Sequence, residues 1–190
     1  MDGDQWIPLL RPWDGAGRVG RLVTLTDAIR DESQRLLDDN LAEPFAHELW
    51  REAWGLRLAH PRSALLIGVS ALEVGIKHHI AKVVPDAEWL ILELQSPPVH
   101  RLLNEYVPAV HDLDEGSLLT AEEKSLLRKS IERRNRITHA GDQTVDEQML
   151  DNALHLIRGL LRRLDALRGH TWAALELPPA MHDDDGNLVE

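Results

Sequence analysis

Cysteine is absent from the 190 residues of this chain, and phenylalanine and tyrosine occur once each. Without cysteine there is no disulfide framework, no thiol catalysis and no thiolate metal site. The acidic start at residues 1–4 lacks the basic region and apolar run of a signal peptide. We also find no stretch long and apolar enough to cross a bilayer. These absences favour a cytoplasmic protein that has no membrane partner.

Strand patterns are also missing, because no segment after residue 40 alternates apolar and polar side chains. Apolar residues recur instead at helical spacing in four long segments, which begin near residues 43, 63, 120 and 144. The second segment is apolar almost all round and should be buried centrally. Shorter helices are expected at 86–94 and 98–106, followed by a connection at 108–119. The sequence therefore predicts an all-α bundle of four main helices with additional short ones.

The chain divides into three parts by pattern. Residues 1–40 have an irregular, glycine-interrupted pattern and are interpreted as an N-terminal arm, with one short helix predicted near 27–38. Residues 41–170 carry the helical bundle. Residues 171–190 lose the periodicity and form an acidic C-terminal tail.

Two capping boxes predict where the last two long helices begin. In each, a threonine is followed three residues later by a glutamate, at Thr120–Glu123 and at Thr144–Glu147. Gly141 is placed to end the first of these helices.

The net charge of −11 disfavours non-specific binding to a polyanion. Between residues 124 and 136, however, six cationic side chains stand against the single carboxylate of Glu132. Such a run is most often a solvated helix face, and we weigh that interpretation against a local RNA-binding patch. The candidate RNA-binding residues are Lys124, Arg128, Lys129, Arg133 and Arg136.

The segment from Arg134 to His139 gathers a fixed cation, an amide and a titratable imidazole at the end of the third long helix. Helical spacing puts Arg134 on one stripe with Leu127 and Ile131, so it faces the apolar side. A guanidinium there needs a partner or a cleft. The best partner within the chain is Glu73, the only charge on the most apolar stretch.

These residue types suit the chemistry of a phosphodiester. A histidine that titrates near neutrality can transfer protons, and an arginine can hold a phosphate through two hydrogen bonds. Arg134, Asn135 and His139 therefore suit cleavage of RNA by attack of its own 2′-hydroxyl, without metal or cofactor. In the alternative interpretation, His139 caps the helix C-terminus and Arg134 forms a structural ion pair. The adjacent His78 and His79 lack metal-ligand spacing, so we predict no metal site.

An arginine and a histidine separated by four residues, at the end of the penultimate long helix, resemble the motif of the HEPN superfamily. The segment Ser63–Glu73 is similar to the second helix of those domains, and the resemblance covers about residues 41–169. It implies a HEPN-like four-helix up-and-down bundle with irregular terminal arms, usually a homodimer. For active members it implies a metal-independent endoribonuclease, often a toxin or defence factor.

The resemblance also implies roles for individual residues. Arg134 would bind the scissile phosphate, Asn135 would orient it, His139 would transfer the proton and Glu73 would support them. RNA is the implied substrate, and a cognate antitoxin or regulatory protein is an implied partner. A toxin branch of the superfamily carries a tyrosine two residues after the histidine, where this chain has Gly141. The alternative function is a non-catalytic module for dimerisation or partner binding.

Overall fold

The computed structural model describes residues 43–93, 98–140 and 144–170, together with positions 34, 38 and 173. Its elements, in chain order, are α1 Phe45–Leu56, α2 Pro61–Val83, a 3₁₀ turn Pro85–Ala87, α3 Glu88–Glu93, α4 Val99–Arg101, a π-helical turn Leu102–Tyr106, α5 Val107–Val110, α6 Ala121–Ala140 and α7 Glu147–Leu167. The described residues contain no strand, and the all-α prediction is confirmed.

Most of the two terminal parts lies outside the described residues. Of the helix predicted at 27–38, only Gln34 and Asp38 are described; both are helical, and the Gln34 amide donates to the Asp38 carboxylate at 2.8 Å. Of the predicted tail, only Ala173 is described, and it is buried.

Three predicted boundaries are wrong. Helix α2 begins at Pro61, two residues before the predicted start near residue 63, and proline is well suited to a first helical position. The predicted connection at 108–119 starts within α5, because the helical chain continues without a break from Val99 through the π-helical turn to Val110. The second capping box does not form, because Asp146 is the N-cap of α7 and accepts from the Met149 amide at 2.7 Å.

Helix α2 is the centre of the bundle. Its residues Leu65, Leu72 and Ile76 are fully buried. By length and composition α2 could also cross a membrane, with mean hydropathy 1.3 over its best window, so our expectation that no stretch qualifies is wrong. Half of that window is buried inside the bundle, and the core helix of a soluble protein meets the same test.

Two glycines let α2 and α7 approach closely. A Cβ atom on Gly68 would lie 2.5 Å from Cδ2 of Leu154, and one on Gly75 would be closer still to Cδ2 of Leu161. The two contacts follow in the same order along both helices, so α2 and α7 run parallel. Close packing explains why two residues of low helix propensity occur in this helix.

The other long helices run in the opposite direction to these two. On the α1 side, Ala53 lies opposite Gly68 and Ala46 lies opposite Gly75, so α1 is antiparallel to α2. The Trp50 indole N–H donates to the Leu154 carbonyl at 2.7 Å and fixes α1 against α7. Helix α6 is antiparallel to α7, because Glu123 near the start of α6 contacts Arg163 near the end of α7, whereas Ser130 further along α6 contacts Met149 near the start of α7. The four longest helices of the described part therefore alternate in direction along the chain.

Candidate functional site

The start of α6 is fixed by the predicted capping box. The Thr120 amide donates to the Glu123 carboxylate at 2.8 Å, and the Glu123 amide donates to Thr120 Oγ1 at 3.2 Å. Arg163 of α7 holds the same carboxylate, with nitrogen–oxygen distances of 2.6 and 3.0 Å. Burial opposes the charge on Glu123, but the hydrogen bonds from Arg163 and Thr120 hold the pKa of its carboxyl below the ordinary value. One carboxylate thus anchors α6 both to its own cap and to α7.

The centre of the candidate site is the pair predicted between α6 and α2. Nη2 of Arg134 lies 3.1 and 3.2 Å from the two carboxylate oxygens of Glu73, and Nη1 donates to Oδ1 of Asn135 at 3.1 Å. The Arg134 side chain is 22% exposed and that of Glu73 is 16% exposed. The pair is therefore neither sealed in the core nor free on the surface. Its guanidinium is oriented by two neighbours and still reaches solvent.

Lys77 adds a second cation beside Glu73. Burial raises the pKa of the Glu73 carboxyl above its ordinary value, although the charges of Arg134 and Lys77 act to lower it. In the described part of the chain Glu73 forms its salt bridge with Arg134 and none with Lys77. The Lys77 ammonium donates instead to the Leu92 carbonyl at 3.3 Å, which satisfies one of the last carbonyls of α3.

His139 lies in the last turn of α6 and is exposed. Within the described ranges its imidazole makes no hydrogen bond or ion pair. Asn135, four residues before His139 on the same helix, accepts its hydrogen bond from Arg134. Along one helix, Arg134 and His139 are five residues apart, which corresponds to about 140° of rotation and ~7.5 Å of rise. A single copy therefore holds the guanidinium and the imidazole on different sides of α6.

The basic residues of α6 divide into two groups. Arg128, Lys129 and Arg136 are exposed, as is Asn135. Lys124 and Arg133 are half-buried, and the Arg133 guanidinium donates to Oγ1 of Thr144, just before the start of α7. The structure therefore leaves three of the five candidate RNA-binding cations fully open to solvent.

A buried polar network near the C-terminal end of α2 was not predicted from the sequence. The His79 ring is 1% exposed; Nδ1 donates to the Leu164 carbonyl at 3.0 Å, which leaves Nε2 to accept from Nε2 of His111 at 2.9 Å. Burial, followed by the charges of His111 and Arg168, lowers the pKa of His79 to about 4. The missed signal is a histidine inside an otherwise apolar helix face.

Asp165 extends this network and is also buried. His47 Nε2 lies 2.7 Å from its carboxylate, and Arg168 binds the other carboxylate oxygen. Burial opposes the charge on Asp165, but His47 and Arg168 hold the pKa of its carboxyl below the ordinary value. Among the residues that the structure describes, no three potential ligands are grouped closely enough to hold a metal ion.

Comparison of the chain with protein-family models, with curated proteins and with solved structures gave no significant match.

Proposed function

We propose that this chain is a HEPN-type endoribonuclease that acts as a homodimer and cleaves RNA without a metal ion. The observation that carries the proposal is the Arg134 guanidinium, which Glu73 and Asn135 orient at the surface of the helix that ends with the exposed His139. An oriented but accessible guanidinium suits binding of a phosphodiester, because two of its N–H groups can match two phosphate oxygens.

The proposed reaction is an internal transfer at phosphorus. His139 accepts the proton of the 2′-hydroxyl as that oxygen attacks the phosphorus, and the departing 5′-oxygen takes up a proton from water. The negative charge that develops on the non-bridging phosphoryl oxygens is stabilised by Arg134. The products are a 2′,3′-cyclic phosphate and a free 5′-hydroxyl. Arg128, Lys129 and Arg136 offer contacts for neighbouring phosphates and offset the overall negative charge locally.

A second copy has a specific part in this proposal. Because Arg134 and His139 of one chain point to different sides of α6, the arginine of one protomer would work with the histidine of its partner across a two-fold axis. Mixing inactive Arg134→Ala and His139→Ala proteins should then restore cleavage. Random exchange leaves one intact composite site in half of the dimers, which is about a quarter of the wild-type number of sites. A mixture that stays inactive, although the subunits exchange, contradicts the composite site.

The primary experiment measures cleavage of a labelled RNA in the presence of EDTA. Wild-type protein should leave 2′,3′-cyclic phosphate ends, and His139→Ala should abolish cutting without changing the melting temperature, because the imidazole is exposed and makes no bond in the described structure. His78→Ala is the matched control, since it removes an exposed histidine from α2. If His139→Ala cuts as fast as wild type, the assignment is wrong.

A non-catalytic dimerisation or partner-binding module is the second candidate function. The observation that favours it is that both carboxylate oxygens of Glu73 already hold Arg134, as in a structural ion pair. Arg134→Ala should then lower the free energy of unfolding by about 1–3 kcal/mol, because it leaves a half-buried carboxylate unpaired. The double variant Glu73→Met/Arg134→Met should recover much of that loss. This result, together with RNA left intact by the wild-type protein, supports the module.

A further inference from the structure

Helix α3 exposes apolar side chains that a helix of this size normally buries. Trp89, Leu90 and Leu92 are 75%, 62% and 42% exposed, and nearby Tyr106 is 38% exposed. They form most of the large, exposed apolar side chains in the described part of the chain. Contiguous apolar surface of this kind marks an interaction site more often than isolated exposed residues do.

Two cavities form a groove beside these side chains, and of the four only Leu90 and Tyr106 line it. Both cavities are lined by Leu102 and Tyr106, so they adjoin one another. The first, about 210 Å³, extends toward α3 and the end of α2, where Leu90 and Ile80 line it. The second, about 290 Å³, extends along the opposite side to Pro98 and Ala109. Leu102 and Tyr106 begin and end a π-helical turn, and such turns occur frequently at functional sites.

Carboxylates outnumber cations around the groove, where the Lys77 ammonium already donates to the Leu92 carbonyl. Asp86, Glu88 and Glu93 are exposed between residues 85 and 93, and this segment contains no cation. At 100° per residue, Glu88 and Glu93 lie on opposite sides of the face by which α3 lines the groove. The Arg101 guanidinium at the second cavity is already held by Glu105, at 3.0 Å. The groove therefore has an apolar floor and an acidic rim.

We infer that this groove, defined by Ile80, Leu90, Leu102 and Tyr106, is a docking site for a partner protein's amphipathic helix with basic flanks. Adjoining apolar cavities suit two apolar anchors on one face of a helix, spaced one or two turns apart. The carboxylates on both sides select lysine or arginine beside those anchors and disfavour nucleic acid, whose phosphates they repel. The groove is thus independent of the proposed RNA site on α6, where the exposed charges are positive.

The test uses two synthetic helical peptides of equal length, one with leucine on one face and lysine elsewhere, and one with glutamate in place of lysine. Fluorescence anisotropy measures their binding to the full chain and to variants. The lysine peptide should bind, and the glutamate peptide should not. Leu90→Ser should weaken binding at least about tenfold, as expected for an anchor contact at the centre of an interface. Circular dichroism should show unchanged helix content, because Leu90 is exposed.

Leu58→Ser is the matched control, because Leu58 is 73% exposed and follows α1, away from the groove. It should bind the lysine peptide as wild type does. Charge reversal by Glu88→Lys/Glu93→Lys should transfer preference to the glutamate peptide. Equal binding by wild type and Leu90→Ser overturns the proposal. It is also overturned if Leu90→Ser converts a dimer to a monomer, because a second copy of the chain then fills the groove. A third contrary outcome is stronger peptide binding after deletion of residues 1–33, because that segment of the chain then competes for the groove.

Discussion

The buried His79 should make the stability of this protein depend on pH in a defined window. Its pKa is lowered from 6.5 to about 4 in the folded state, chiefly by burial. In the unfolded chain the imidazole regains its ordinary pKa, so between these two values the unfolded state binds a proton that the folded state does not. Stability therefore is fully present above pH 6.5 and falls as the pH drops toward 4.

The magnitude follows from the two pKa values. At pH 5 the folded ring is still mostly neutral. This pH is about 1.5 units below the ordinary pKa of 6.5, so in the unfolded chain the imidazole is mostly protonated. Since one unit corresponds to 1.36 kcal/mol, the unfolded state gains about 2 kcal/mol relative to the folded state. Burial also lowers the pKa of His111 and His155, which adds loss of the same sign. Because the pKa of Asp165 is lowered from its ordinary value, its contribution to the pH dependence of stability falls below this pH window.

Urea denaturation at pH 7 and pH 5 should be carried out on wild type and on His79→Gln. Glutamine does not titrate, and its amide offers a donor for the Leu164 carbonyl and an acceptor for His111. Between the two pH values, wild type should lose about 2 kcal/mol more than the variant. A loss of equal size in both proteins refutes the reasoning. NMR titration of the His79 ring should independently give a midpoint near 4.

The packing of α7 provides further predictions, each measured by urea denaturation at pH 7. Gly75→Ala should destabilise by about 1–3 kcal/mol, because its Cβ would overlap the Leu161 side chain. Gly159→Ala, where a Cβ meets nothing within 4 Å, should stabilise by about 0.5–1 kcal/mol through helix propensity; the opposite order would contradict the packing argument. Trp50→Phe should destabilise by about 1–3 kcal/mol, because it loses the hydrogen bond to the Leu154 carbonyl and leaves unfilled space.

Features set by neighbouring residues were predictable from the sequence. The Thr120–Glu123 box lies within one helical turn, and both of its hydrogen bonds form as expected. The contact of Arg134 with Glu73 also follows from periodicity, since an arginine on the apolar side of one helix is expected to meet the only acidic side chain of α2, the most apolar helix. In both cases, helix capping and helical periodicity leave few alternative hydrogen-bond partners.

The second capping box shows why an equally good pattern failed. Asp146 follows Thr144 by two residues, and an aspartate caps at least as well as a threonine. Because Asp146 caps the helix in place of Thr144, α7 begins at Glu147, and the Thr144 hydroxyl instead accepts a hydrogen bond from Arg133. That contact joins residues 11 apart and depends on where α6 ends, which no local pattern gives.

The histidine network was not predictable for a related reason. His79 meets the Leu164 carbonyl across 85 residues of sequence, so the contact depends on the axial position of α7 against α2. The groove beside α3 likewise depends on the π-helical turn at Leu102–Tyr106, and an inserted residue of this kind has no simple sequence signature. The placement of the candidate residues Arg134, Asn135 and His139 on α6 was predictable, whereas the separation of Arg134 from His139 around the helix depends on α6 continuing past His139 to Ala140.

The pairing of two glycines with two leucines restricts which insertions and deletions this chain can accept. Gly68 and Gly75 are seven residues apart, as are Leu154 and Leu161, so both contacts share one offset between the helices. One residue inserted between the two leucines would turn the second away from its glycine by about 100°. Loops outside these helices can change length freely by comparison. Homologous chains should therefore vary in length at the turns and keep this seven-residue interval constant.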